Sequence, residues 1–240
     1  MELFFSTEIF DNHLYLSLEE SRHCLTVLRK VDGDIINAID GKGNFFEGLL
    51  KIEGKNKPVK VDLRSKTHFE TSAHQWAFHL AIAPTKNSDR MEWLIEKTVE
   101  LGVASITFLK CEHNERSNLR MDRLEKIAIS ALKQSKQYWL PTLKPLQSFT
   151  SFIEGLNTMD NCFIAHCQND HKTSFEAVNL NSSCTMLIGP EGDFSPTEII
   201  LATEKGFKPV SLGKSRLRTE TAALYACGIY RSKFSMAGNG

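Results

Sequence analysis

Over the first 70 residues the apolar positions come in short runs broken by turns. Asp32-Gly33-Asp34 precedes Ile35–Ile39, Asp40-Gly41-Lys42-Gly43-Asn44 leads into residues 45–52, and residues 54–58 lead into residues 59–63. Aspartate–glycine turns between short apolar runs predict hairpins. Residues 17–29 read as one short helix with Leu18, Cys24, Leu25 and Leu28 inward. This part predicts a small β-barrel or sheet with one helix, and the polar residues 66–74 predict a linker.

Beyond residue 75 strand-like and helix-like periods alternate. Residues 76–83, 105–111, 162–167, 184–188 and 210–212 are apolar runs of strand length. Residues 89–101 predict a helix, with Asp89 and Glu92 at capping-box spacing, Met91, Leu94, Ile95 and Thr98 on one face, and Gly102 as the stop. Residues 121–138 predict a second helix, with Leu124, Ile127, Ala128, Ala131, Leu132 and Ser135 inward. Ser195-Pro196-Thr197-Glu198 has the form of a capping box with proline at the first helical position, Phe194 and Ile199 as its staple and Gly206 as its end. Residues 219–234 predict the last helix. Strands alternating with helices over ~165 residues imply an α/β domain with a mostly parallel sheet.

Composition narrows the function classes. Of 240 residues, 41% are hydrophobic and 24% charged, an ordinary globular mixture. Lys+Arg and Asp+Glu both number 29, so a nucleic-acid partner would have to meet a local basic patch. No apolar run approaches the ~18 residues that span a bilayer, and the N-terminus lacks a signal-peptide layout. These features predict a cytoplasmic protein with no membrane partner. The six cysteines form no C-x-x-C pair, which predicts reduced core thiols. Cys111-Glu112-His113 and His166-Cys167 are the nearest approach to metal ligands, but no four-ligand set follows, so no metal is expected.

Two strand ends are rich in glycine: Leu187-Ile188-Gly189-Pro190-Glu191-Gly192 and Leu212-Gly213. Glycine there lets backbone approach a ligand closely. Two such turns side by side would offer N–H and C=O groups to a planar polar ligand such as adenine, or they simply make tight turns. Neither a Walker loop nor a G-x-G-x-x-G fingerprint occurs. Thr219 is placed to cap the last helix with its hydroxyl, and Glu220 suits the positive helix end. Arg218 is electrostatically disfavoured there. It needs an anion: Glu191, Glu220, or a ligand carboxylate or phosphate.

"IGPEGDFSPTEI" (188–199) and "LGKSRLRTETAALYA" (212–226) resemble the two C-terminal motifs of the RsmE family. "RHCLTVLRKVDGD" (22–34) is similar to that family's N-terminal segment, and "DRMEWLIEKTVELGV" (89–103) and "ERS" (115–117) match it in order and spacing. The resemblance implies a PUA-like, RNA-binding β-barrel over residues 1–70. A trefoil-knotted SPOUT methyltransferase domain of α/β class would follow over residues 75–240, packed as a homodimer. It implies transfer of a methyl group from S-adenosyl-L-methionine to N3 of one uridine, of the uridine 1498 type, in 16S rRNA of the small ribosomal subunit. Leu187, Ile188, Gly189, Pro190, Glu191, Gly192, Leu212, Gly213, Ser215, Leu217, Arg218 and Thr219 would hold the cofactor.

Uridine N3 carries a proton, so catalysis must remove it or stabilise the ring anion. Arg116 or Arg218 would stabilise charge on a uracil carbonyl, and Glu191 is a candidate base or an anchor for an arginine. Arg22, His23, Arg29 and Lys30, with Arg120, Arg123 and Gln134, are the RNA-binding candidates. Asp193 stands where the family commonly has glycine, Ser215 replaces a common arginine, and Arg216 follows one place later. Gln134-Ser135-Lys136-Gln137 lacks a glycine and an arginine of the family run. A non-catalytic RNA-binding protein and a ribose methyltransferase are the competing readings.

Overall fold

The computed structural model describes residues 2–54, 57–70, 77–115, 118–156, 161–168, 171–180 and 183–235. The chain divides into two compact units, Met1–Thr71 with Ile129–Leu140, and Ser72–Ala128 with Pro141–Gly240. Among the described residues no helix is long and apolar enough to cross a membrane.

The first unit is a six-stranded sheet. Its strands are β1 (Phe4–Phe5), β2 (Glu8–Ile9), β3 (His13–Tyr15), β4 (Ile35–Ile39), β5 (Asn44–Lys51) and β6 (Lys60–His68), in the order β1-β4-β5-β6-β3-β2. Only β1 and β4 pair in parallel. Asp40 builds the β4–β5 hairpin: its carboxylate accepts the N–H groups of Lys42 (2.7 Å) and Asn44 (3.1 Å). Gly41 and Gly43 supply the positive φ angles, +72° and +84°. Residues 66–68, expected in a linker, instead lengthen β6 against β5; side chains there are exposed, which disguised the strand. Residues 71–74 of that expected linker, and Trp76 of the expected next strand, lie outside the described residues.

The expected single helix over 17–29 is α1 (Leu18–Arg22) followed by a π-helical stretch, His23–Val27. Cys24 is fully buried, and Leu25 and Leu28 pack on the core of Phe4, Leu14, Leu16, Ile36 and Phe46. Leu18 is 51% exposed, contrary to its expected inward place. Ser17 caps the helix, making Leu18 its first residue, and that turns the side chain outward.

The second unit has the expected α/β alternation. Its strands are β7 (Phe78–Ile82), β8 (Ser105–Lys110), β9 (Thr142–Ser148), β10 (Cys162–Ala165), β11 (Thr173–Ser174), β12 (Cys184–Ile188) and β13 (Lys208–Ser211). Every pairing is parallel, in the order β11-β13-β10-β12-β7-β8-β9. Its helices are α2 (Ser88–Glu100), α4 (Phe149–Glu154), α5 (Pro196–Glu204) and α6 (Thr219–Ser235), while α3 (Met121–Gln134) belongs to this unit up to Ala128 and to the first from Ile129.

The sequence placed the cap of α2 at Asp89, but Asn87 provides it by accepting the Asp89 N–H at 2.7 Å. Glu92 grips Arg123 instead. Helix α3 stops at Gln134, four residues before its expected end, where Lys136 takes a positive φ of 54°. The Ser195–Glu198 capping box forms with both of its bonds. Phe194 and Ile199 are buried in one cluster with Ala83, Leu109, Phe149 and Leu187.

Candidate active site

Strand β10 lies between β12 and β13, so the two glycine turns are not on neighbouring strands. Their loops flank the carboxyl end of β10, where parallel sheets bind ligands. The result is a cleft of about 920 Å³. Its apolar lining comes from Ala165, Ile188, Val210, Leu212, Leu217 and Ala222, and its polar lining from Glu191, Asp193, Lys172, Lys214, Arg216 and Arg218.

Each loop is shaped by its sequence. Gly189 is required by contact: a Cβ there would lie 3.0 Å from Phe194 Cδ2. Gly213 has φ +113°, and the Ser211 hydroxyl closes the turn on the Gly213 N–H at 3.2 Å. The backbone N–H groups of residues 214–218 make no hydrogen bond among the described residues. Residues 214–218 are among those that line the cleft.

Thr219 was expected to cap α6. It is instead the first helical residue, and its buried hydroxyl donates to the Gly189 carbonyl at 3.1 Å. That bond fastens the 212–218 loop to the first glycine turn. The Arg218 carbonyl accepts the Ala222 N–H at 2.8 Å and so begins the helix. Glu220 is 6% exposed and turns to Arg90, with Nε at 3.6 Å. Among the described residues no carboxylate pairs with Arg218, which is exposed and lines the cleft.

The 189–195 loop is a hub. Glu191 accepts the Lys86 N–H at 3.2 Å. The carboxylate of Glu198 accepts the Glu112 N–H at 2.9 Å, alongside its capping bond to Ser195. The His113 ring, through Nδ1, bonds the Asp193 carbonyl at 3.0 Å. Gly192 makes room for this, since a Cβ would sit 3.0 Å from His113 Cβ. Asp193 itself has φ +66°.

Of the cofactor candidates, Ile188, Gly189, Pro190, Glu191, Leu212, Gly213, Ser215, Leu217, Arg218 and Thr219 line the cleft. Leu187 and Gly192 do not: Leu187 is a fully buried core residue of β12, and Gly192 faces His113. Arg116 lies outside the described residues. The β10 wall, Ala165 to Gln168, was missed because its sequence has no glycine or charge motif. Cys167 in that wall is the exposed cysteine; burial raises the thiol pKa of Cys111 and Cys184 well above the ordinary range and keeps them neutral.

The RNA candidates divide by environment. Arg22 and Arg29 are exposed, Lys30 is half-buried, and half-buried His23 lies 3.8 Å from Glu2. Arg120 and Gln134 are exposed, whereas both nitrogens of Arg123 that face Glu92 lie 2.6 Å from its carboxylate. Lys133 on the same helix pairs with Glu20.

The RNA methyltransferase domain model matches residues 72–231, and the RNA methyltransferase PUA domain model matches residues 16–62. The chain is 27% identical over 222 residues to the ribosomal RNA small subunit methyltransferase E of Bacillus subtilis, covering 87% of this chain and 85% of that one. A structure described as a probable rRNA-methyltransferase from Porphyromonas gingivalis superposes with a TM-score of 0.89 at 36% identity, covering 99% of this chain and all of the other. Ribosomal RNA small subunit methyltransferase E of Neisseria gonorrhoeae, bound to S-adenosyl methionine, gives 0.82 at 26% identity, covering 97% and 98%. A PUA domain and a methyltransferase domain in one α/β chain, matched along nearly its whole length, place this protein in the RsmE family of RNA methyltransferases.

Proposed function

We propose that the chain methylates N3 of one uridine in 16S rRNA of the small ribosomal subunit, using S-adenosyl-L-methionine. The observation that carries this reading is the cleft between the two glycine loops, in a chain of the RsmE family. The residues present fit the cofactor. A planar adenine needs apolar faces and edge hydrogen bonds, and the cleft is lined by apolar side chains and by a 214–218 loop whose N–H groups make no hydrogen bond among the described residues. When bound, S-adenosyl-L-methionine supplies an electrophilic methyl group on a sulfonium sulfur.

The remaining work falls to the chain. Arg218 lines the cleft with its cation unpaired by any described carboxylate, suited to a uracil carbonyl as N3 loses its proton. Glu191, which lines the cleft, is a candidate carboxylate for that proton, although one oxygen is already engaged by the Lys86 N–H. The same reading includes the RNA-binding segment 1–70, the methyltransferase domain 75–240, the trefoil knot of SPOUT proteins, the homodimer and the cytoplasmic location.

The test is to incubate the protein with small subunits lacking the modification and labelled cofactor, then digest the RNA to nucleosides. Labelled N3-methyluridine, at no more than one methyl group per small subunit, is the expected product. A ribose-methylated nucleoside, or no transfer from a protein that binds the cofactor, would overturn the assignment.

Exposed Arg22 and Arg29 give a second prediction. If they contact phosphates, neutralising both should lower the slope of log affinity against log salt by about two. An unchanged slope in filter binding would remove them from the RNA interface.

A further inference from the structure

Asp193 lines the cleft but has no part in the chemistry proposed above. Its φ is +66°, a region open to glycine and, among side-chain residues, best tolerated by Asn and Asp. Its side chain does something glycine cannot. One carboxylate oxygen accepts the Cys167 N–H at 2.8 Å, two residues beyond the end of β10, and the other accepts the Phe194 N–H at 2.9 Å. The Asp193 N–H donates to the Pro190 carbonyl at 2.9 Å, and its own carbonyl bonds His113. The residue is thus held on three sides, with its carboxylate spanning from the β12 loop to the end of β10.

We propose that Asp193 is a positioning residue for the cofactor cleft, and that its bond to Cys167 holds the 165–168 wall in its binding geometry. The proposal rests on the cofactor reading above. A carboxylate accepting a backbone N–H is a charge-assisted bond, stronger than a neutral one. It acts on the wall between the two glycine loops, where Ala165 to Gln168 form the floor and neither loop supplies another described bond to the Cys167 N–H. Asp193 acts through Cys167; the wall, in turn, meets the ligand.

The test compares Asp193→Gly and Asp193→Asn in the full chain. Glycine keeps the backbone angle and deletes the acceptor; asparagine keeps an acceptor oxygen and removes the charge. Hydrogen–deuterium exchange at the Cys167 amide, measured without cofactor, reads the latch directly. It should speed up by about tenfold or more in Asp193→Gly, the loss of one charge-assisted hydrogen bond, and much less in Asp193→Asn. Calorimetry with S-adenosylmethionine should show affinity about tenfold weaker for glycine, and within about threefold of the parent for asparagine.

Unchanged exchange in the glycine variant would overturn the latch. Faster exchange with unaltered affinity would overturn its role in the cleft. Equal losses in both variants would overturn the hydrogen-bond account in favour of direct attraction between the carboxylate and the cationic cofactor. A parent protein that binds no S-adenosylmethionine would sink the cofactor reading itself and with it the cleft role, while the exchange data would still report on the latch.

Discussion

Phe194→Ala is expected to destabilise the chain by about 3–5 kcal/mol, the usual cost of deleting a buried phenylalanine ring. The ring is 2% exposed and lies 5.4 Å from the Phe149 ring at an interplanar angle of 55°. It staples the start of α5 through Ile199 and sits in the cluster that includes Leu109, Leu187 and Phe207. The ring is also the floor of the first glycine turn: a Cβ on Gly189 would meet it at 3.0 and 3.2 Å. Removing the ring therefore opens a cavity beneath residues that line the cleft. Urea unfolding should show a lower midpoint with an unchanged slope. Phe194→Leu should recover much of the loss by keeping volume, as cores tolerate apolar swaps of similar size. A loss below about 1 kcal/mol for alanine would mean that the ring does not organise this core.

Such a core residue was readable from sequence because the signals around it are local. Ser195, Pro196 and Glu198 fix a helix start within four residues, and a staple is read from positions on either side of the cap. The apolar runs at Ile35–Ile39 and Cys184–Ile188 formed strands with the expected bounds. What sequence could not supply is non-local. Thr219 looked like a cap because a hydroxyl before an alanine-rich helix usually is one, but its partner is a carbonyl 30 residues away. Asn87 displaced Asp89 as the cap of α2, and Glu92 was drawn off to Arg123, a partner 31 residues on. The insertion of β10 between β12 and β13 is a matter of strand order, which periodicity does not encode. With it came the whole 165–168 wall and the bond from the Cys167 N–H to Asp193.

The same distinction decides what can be asked of the two arginines after the second glycine turn. Arg216 and Arg218 both line the cleft, and sequence alone gave Arg218 a choice of three anions. The structure removes one of them, because Glu220 is buried against Arg90 at the foot of α2. It occupies another in part, because Glu191 holds the Lys86 N–H. Arg218 is left at the start of a 17-residue helix, where the macrodipole opposes a cation. On the function proposed above, a cation held there at a cost, lining the cleft, would meet an anion that arrives with the reaction.

Arg218→Ala should therefore reduce single-turnover methylation by about 100-fold, or roughly 2.7 kcal/mol of transition-state stabilisation. Cofactor affinity, measured by calorimetry, should fall far less, because a cation that acts on developing charge contributes mainly after binding. Arg218→Lys should recover part of the rate, since it restores the charge without the planar fork. Arg216→Ala should cost much less, because Arg216 does not stand at the helix start. If Arg218→Ala lowered cofactor affinity by the whole 100-fold and left the saturated rate intact, Arg218 would be a ligand of the methionine carboxylate. The anion stabilised in the cleft would then belong to the cofactor, and N3 would have to lose its proton without help from this side chain.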